Sequence, residues 1–108
     1  MNQLRIYHLT DKEAANTYFT TYWPRHLESL PKFGFKVEGL WLGQSPENEN
    51  QVIAMVSFPD GENIEELNRR YMSSPEFRQE MAGFDKHTIQ RVEELLMKPS
   101  ADFLMSLS

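Results

Sequence analysis

One histidine carries the clearest prospect of proton chemistry in this sequence. His26 stands three residues after Trp23 and four after Tyr22, so on a helix it shares the apolar side with both. An imidazole titrates near neutral pH and serves as a general base or a ligand contact. A plainer role stands beside it, a part-buried histidine bonded to a neighbouring carbonyl. Arg5 and Tyr7 alternate on one face of a strand, where the guanidinium and the phenol can together hold an anionic or carbonyl group. The plain alternative there is an exposed or interface arginine beside a core tyrosine. Trp23 and Trp41 can floor an aromatic pocket between helix and sheet, or simply fill a core or an interface.

Other chemistry is poorly provided for. His8 and His87 lack the His-x-His, His-x-x-x-His or Glu-x-x-His spacing of a preformed metal site, so no metal is expected. A single histidine is still enough for an axial haem ligand, which keeps haem as a weak alternative. Arg69 and Arg70 follow Glu65 and Glu66 by one helical turn, the pattern of a solvated, ion-paired face. The serines have no nucleophile-elbow context, and no glycine-rich phosphate loop is present.

Composition sets the frame for these residues. The 108 residues suit one domain, and the absence of cysteine rules out disulfides and thiolate metal sites. Eleven Lys and Arg against sixteen Asp and Glu leave a net charge of −5, which argues against a nucleic-acid partner. The start, MNQLRIYHLTDKEAA, lacks a basic segment followed by an apolar run, and no stretch approaches the roughly twenty apolar residues of a membrane helix. A soluble cytoplasmic protein with no membrane partner is the expectation.

The elements that must position the candidates read as follows. QLRIYHL (3–9) is a strand, with Leu4, Ile6 and His8 on one face and Arg5, Tyr7 and Leu9 on the other. Thr10 and Glu13 form a capping box for a helix from Asp11 to about Leu30 or Lys32, kinked or broken at Pro24 and stopped by Pro31 and Gly34. FKVEGLWLG alternates as a strand with Phe35, Val37, Gly39 and Trp41 on one face, and Gly39 marks a bulge or a close backbone approach. VIAMVSF is a continuous apolar run, predicted to be a central strand covered on both faces. Asp60 is the expected cap of a second helix with the stripe Ile64, Leu67 and Tyr71, and Ser74-Pro75 restarts a helix. By propensity HTIQRVEELLMKP slightly favours helix, but a β-α-β-β-α order needs a closing strand, so 88–97 is assigned as strand. The apolar tail SADFLMSLS is expected to dock.

These segments together resemble the NIPSNAP family. The opening LRIYHL, the helix with YWPRHL, LPKFGFKVEGLW, the later SSPEFRQEM and the closing LLMKPSADF carry the resemblance over essentially the whole chain, most sharply from Trp23 to Trp41. It implies a single domain over 1–108: α+β, ferredoxin-like βαββαβ, with a four-stranded antiparallel sheet that pairs in a homodimer through its face as a dimeric α/β barrel. Related barrels include cofactor-free monooxygenases, haem-degrading enzymes and small-molecule isomerases or lyases. The animal members' mitochondrial and vesicle-traffic roles are not carried over. The expectation is a dimeric small-molecule-binding domain or a monooxygenase-like enzyme needing no cofactor, with His26 as the catalytic residue and Arg5, Tyr7, Trp23 and Trp41 as ligand contacts. A non-catalytic interaction or structural dimer is the alternative. Only two helical segments are available to cover a sheet with two apolar faces, which calls for dimerisation independently of any resemblance.

Overall fold

The computed structural model describes residues 1–98 and shows an α+β sandwich of one sheet and one helical layer. The docked-tail expectation falls on 100–108, outside the described residues. Strands β1 (Asn2–Leu9), β2 (Lys36–Leu42), β3 (Gln51–Ser57) and β4 (Ile89–Met97) form an antiparallel sheet in the order β2-β3-β1-β4, which is the ferredoxin-like topology. Across the sheet Arg5 stands between Ala54 and Glu94, and Tyr7 between Val52 and Val92. Cross-strand partners point the same way. The register therefore turns Arg5, Tyr7, Val52, Ala54, Val92 and Glu94 toward one face.

That face carries the helices. Helix α1 (Lys12–Thr17) and helix α2 (Trp23–Ser29) are separated by a π-turn at Tyr18–Tyr22, where the Trp23 N–H reaches back to the Tyr18 carbonyl. Pro24 has no N–H to offer the Thr20 carbonyl, and a widened turn just before it absorbs the mismatch. The expected break thus falls one turn ahead of the proline. The cap also differs from the expected Thr10–Glu13 box: the helix starts at Lys12, so Asp11 takes the cap position and accepts the Ala14 N–H at 2.7 Å. A 3₁₀ turn (Leu30–Phe33) ends at Gly34, whose φ of 93° suits glycine.

Helix α3 (Ile64–Met72) is capped by Asn63, which accepts the Glu66 N–H at 3.1 Å. The expected cap, Asp60, lies three residues too early and pairs with the Met1 ammonium at 2.8 Å instead. Ser74 caps helix α4 (Pro75–Glu80), with Pro75 in the first turn as its sequence position suggests. On the outer side Arg69 and Arg70 pair with Glu66, as their spacing implies.

Strand β2 departs from simple alternation. Its register with β3 shifts between Val37 and Gly39, so Val37 pairs with buried Val56 while Gly39 and Trp41 face the other side with Met55 and Ile53. The bulge at Glu38 reverses the phase, and the grouping of Phe35 and Val37 with Trp41 on one face is thereby overturned. Gly39 also serves the close approach its sequence position hinted at: a Cβ there would lie 2.2 Å from the Trp41 indole.

The helix-facing layer is the core, with Leu9, Val52, Val56, Trp23 and Leu30 buried. The opposite face of the sheet carries Leu4, Ile6, Ile53, Met55 and Leu95 with no layer over it, and Leu95 is 56% exposed. Within one chain β3 is thus central but covered on one face only, in contrast to the two-sided cover expected of its apolar run. Strand β4 forms despite its helical propensity, because pairing along β1 satisfies backbone groups that a helix would leave as an open edge. No helix among the described residues is long and apolar enough to cross a membrane.

Candidate functional site

The helical layer does not meet the sheet everywhere. Where it spans β1 and β4, a cavity of about 220 Å³ remains, lined by Arg5 and Tyr7 from β1, by Tyr18, Trp23 and His26 from the first helical segment, and by Asn68, Tyr71 and Phe77 from the second. Val92 and Glu94 of β4 form its outer side, and both are exposed. The opening follows from the topology: two helical segments cover the central strands and leave the edge strand bare. The walls are mostly aromatic. Tyr7 meets Tyr18 and Trp23 edge-on at 5.4 and 5.9 Å between centroids, and His26 stacks on Phe77 at 5.8 Å.

His26 is 3% exposed, and its Nδ1 lies 2.8 Å from Glu80 Oε1 and 2.7 Å from the Tyr71 hydroxyl. The Tyr71 hydroxyl donates to the same Glu80 oxygen at 2.5 Å, and Ser29 Oγ donates to Tyr71 at 3.4 Å. Three helices supply the set: His26 and Ser29 come from α2, Tyr71 from α3 and Glu80 from α4. One physical arrangement satisfies the set. A neutral imidazole donates its Nδ1–H toward Glu80 and Tyr71, the phenol donates to Glu80, and the carboxylate accepts both.

The electrostatics agree. Burial lowers the His26 pKa from its ordinary 6.5, against the opposing pull of Glu80. Burial raises Glu80, but the Ser29 hydroxyl and the donors from Tyr71 and His26 outweigh it and hold the carboxyl below 4.5. Burial, reinforced by the Glu80 carboxylate, raises Tyr71 far above the usual phenol range, so Tyr71 remains a donor. Near neutral pH the site therefore presents a neutral histidine whose Nδ1 is occupied and whose Nε2 has no hydrogen-bond partner among the described residues.

This arrangement couples to stability with a defined sign. A depressed His26 pKa means that the unfolded chain binds the proton more readily than the folded one. The contribution is complete above pH 6.5 and is lost as pH falls through the lowered folded value. Glu80 adds a loss of the same sign below pH 4.5. The melting temperature should fall between about pH 7 and about pH 5, and fall less in His26→Gln. Parallel pH profiles of the two proteins in scanning calorimetry would remove His26 as the cause.

The sequence candidates divide cleanly by position. Arg5, Tyr7, Trp23 and His26 all line the one cavity, whereas Trp41 stands on the opposite face of the sheet, 51% exposed, because the β2 bulge turns it there. Arg5 is 6% exposed; its Nε donates to Gln3 Oε1 and its Nη2 to Asn68 Oδ1, both at 2.7 Å. The Trp23 indole N–H is buried without a hydrogen-bond partner of ordinary geometry, and the Tyr18 hydroxyl beside it feels that dipole only weakly against burial. Sequence reasoning missed Glu80 and the polar role of Tyr71. The sequence places Tyr71 on an apolar stripe with Ile64 and Leu67. Glu80 lies three residues after Phe77, on the face that packs inward, and a carboxylate at that spacing was the available signal. His8 lies on the far sheet face with Nε2 2.6 Å from Glu93, and His87 is exposed before β4. No cluster among the described residues could hold a metal ion.

Comparison with known proteins places this architecture. The family profile of NIPSNAP matches residues 2–103. No curated protein matches in sequence. Among solved structures, an uncharacterised NIPSNAP domain protein from Burkholderia xenovorans superposes with a TM-score of 0.72 at 16% identity, covering 93% of this chain and 94% of that one. A protein from Bacteroides thetaiotaomicron, provisionally named an antibiotic biosynthesis monooxygenase, gives 0.59 at 20% identity over 92% and 88% of the two chains. A dimeric ferredoxin-like protein from an uncultured marine organism gives 0.60 at 12% identity over 92% and 94%. Identities this low speak for the fold alone.

Proposed function

The chain belongs to the NIPSNAP family, and from that premise we propose that it is a homodimeric small-molecule-binding domain whose cavity is equipped for proton transfer without a cofactor. The observation that carries this reading is the neutral His26 on the cavity wall, held from behind at Nδ1 by Glu80 at 2.8 Å and left unpartnered at Nε2. A histidine arranged this way accepts a proton from an acidic O–H or C–H at Nε2, and the carboxylate behind it stabilises the imidazolium that forms. Tyr71 fixes the Glu80 oxygen and keeps its own proton. Deprotonation of an electron-rich substrate is a step that a monooxygenase-like activity needs, and the name of the Bacteroides relative supports that direction. The mostly aromatic walls with a few polar groups match the lining expected of a ligand site.

The homodimer rests on the bare sheet face. Leu4, Ile6, Ile53, Met55 and Leu95 form an apolar surface that a second copy of the same face would cover, closing the two sheets into a barrel. A relative of the same fold is described as dimeric. The alternative, a dimer that only assembles, leaves the Nε2 position and the cavity without use. Haem gains no support, since about 220 Å³ takes a ring and a substituent rather than a porphyrin.

Two tryptophans supply a direct test of the cavity. In an ¹⁵N spectrum the two indole N–H signals report the two faces of the sheet. Added 2-naphthamide, an uncharged aromatic probe, should move the Trp23 indole and leave the Trp41 indole in place. Movement of Trp41 alone, or of neither, would overturn the cavity as the binding site.

A further inference from the structure

The cavity contains a positive charge whose partners do not neutralise it. Arg5 is 6% exposed as a residue, and the two hydrogen bonds of its guanidinium go to the neutral amide oxygens of Gln3 and Asn68. It packs over the Phe35 ring at 5.2 Å. Its cross-strand neighbour Glu94 makes no ion pair with it among the described residues and accepts from Gln3 Nε2 at 3.3 Å instead. A guanidinium has five N–H donors, and the other three make no hydrogen bond among the described residues. Burying a charge without a counter-charge is costly, and neutral oxygens offset only part of that cost.

A second orphan lies in the same wall. The Trp23 indole N–H is buried and unpartnered, and the Tyr18 phenol lies beside it and within the field of Arg5. An unpartnered indole N–H and a guanidinium bonded only to neutral oxygens thus border one aromatic cavity. The size of the space limits what can supply them. An engineered cavity of about 150 Å³ takes benzene, so about 220 Å³ takes a substituted or fused aromatic ring.

We infer that the cavity selects an aromatic carboxylate, with the carboxylate seated on the Arg5 guanidinium, the Trp23 N–H as a further donor, and the ring lying among Tyr7, Tyr18 and Phe77. The assignment rests on the cavity being the binding site, and it names the ligand class for it. Arg5 suits the task because its planar fork meets a carboxylate with two parallel hydrogen bonds. Glu94 stands at the exposed rim, where solvent screens its charge, so it weakens the preference for an anion without cancelling it.

The test compares 2-naphthoate with 2-naphthamide by isothermal titration of the full chain. The carboxylate should bind about tenfold tighter or better, the worth of a charge-assisted hydrogen bond. Arg5→Met should still bind the amide and lose the preference. Circular dichroism checks that variant's fold. Where it does not fold, Arg5→Lys replaces it, keeping the charge but losing the fork, and should narrow the preference. Equal binding of the two probes to the wild-type chain would overturn the carboxylate inference and leave the cavity standing. Failure of both probes to bind would overturn the inference and the cavity reading together. An arginine with a purely structural role would weaken both probes alike in Arg5→Met, and that result would also overturn the inference.

Discussion

Trp23→Ala should lower stability by about 3–5 kcal/mol, the range for emptying a large aromatic site in a core. For a domain of this size that is a fall in melting temperature of more than about 10 °C. Trp23 is 2% exposed and meets Tyr7, Tyr18 and His26 edge-on at 5.9, 6.3 and 5.3 Å. Its removal merges the space of the indole with the existing cavity, so three aromatic edges lose a packed partner at once. Trp41→Ala removes the same side chain from a site already half in water and should cost far less in thermal stability. Scanning calorimetry of the two variants measures the contrast. Equal losses would mean that the faces of the sheet are not as unlike as the fold implies.

The contrast also shows what the sequence could and could not convey. The two tryptophans are equivalent on composition, and strict alternation grouped Trp41 with Val37 and Phe35. One bulged residue, Glu38, reverses that grouping, and only the pairing with β3 reveals it. The placement of Arg5, Tyr7 and His26 was legible because period-two and helical spacing fix faces locally. Glu80 was not, since its role depends on α4 packing against α2, a tertiary relation 54 residues apart in sequence. The caps missed by one and three residues for a related reason: Thr10, Asp11, Asp60 and Asn63 are all competent caps, and chain geometry chooses among them. Strand β4 illustrates the reverse case, in which a topological argument outweighed propensity because an unpaired β1 edge costs more than an unfavourable residue.

The second large effect concerns assembly. Ile53 lies in the middle of the bare sheet face, paired across the strands with Ile6 and Trp41. Ile53→Lys places an ammonium at the centre of the surface assigned to the second copy. A charge buried without a partner there costs several kcal/mol, enough to dissociate an ordinary dimer. In a single chain the same lysine points into solvent, so the fold should persist. The expected product is a folded monomer, with unchanged circular dichroism and a halved mass in solution. A variant that remains dimeric would show that the copies meet elsewhere.

The protein should be a dimer with one small-molecule cavity in each protomer. Native mass spectrometry in excess 2-naphthoate tests both parts in a single spectrum. The expected result is a dimer carrying up to two added probe masses, one for each cavity. A monomer, or a dimer that retains no probe at any concentration, would contradict it.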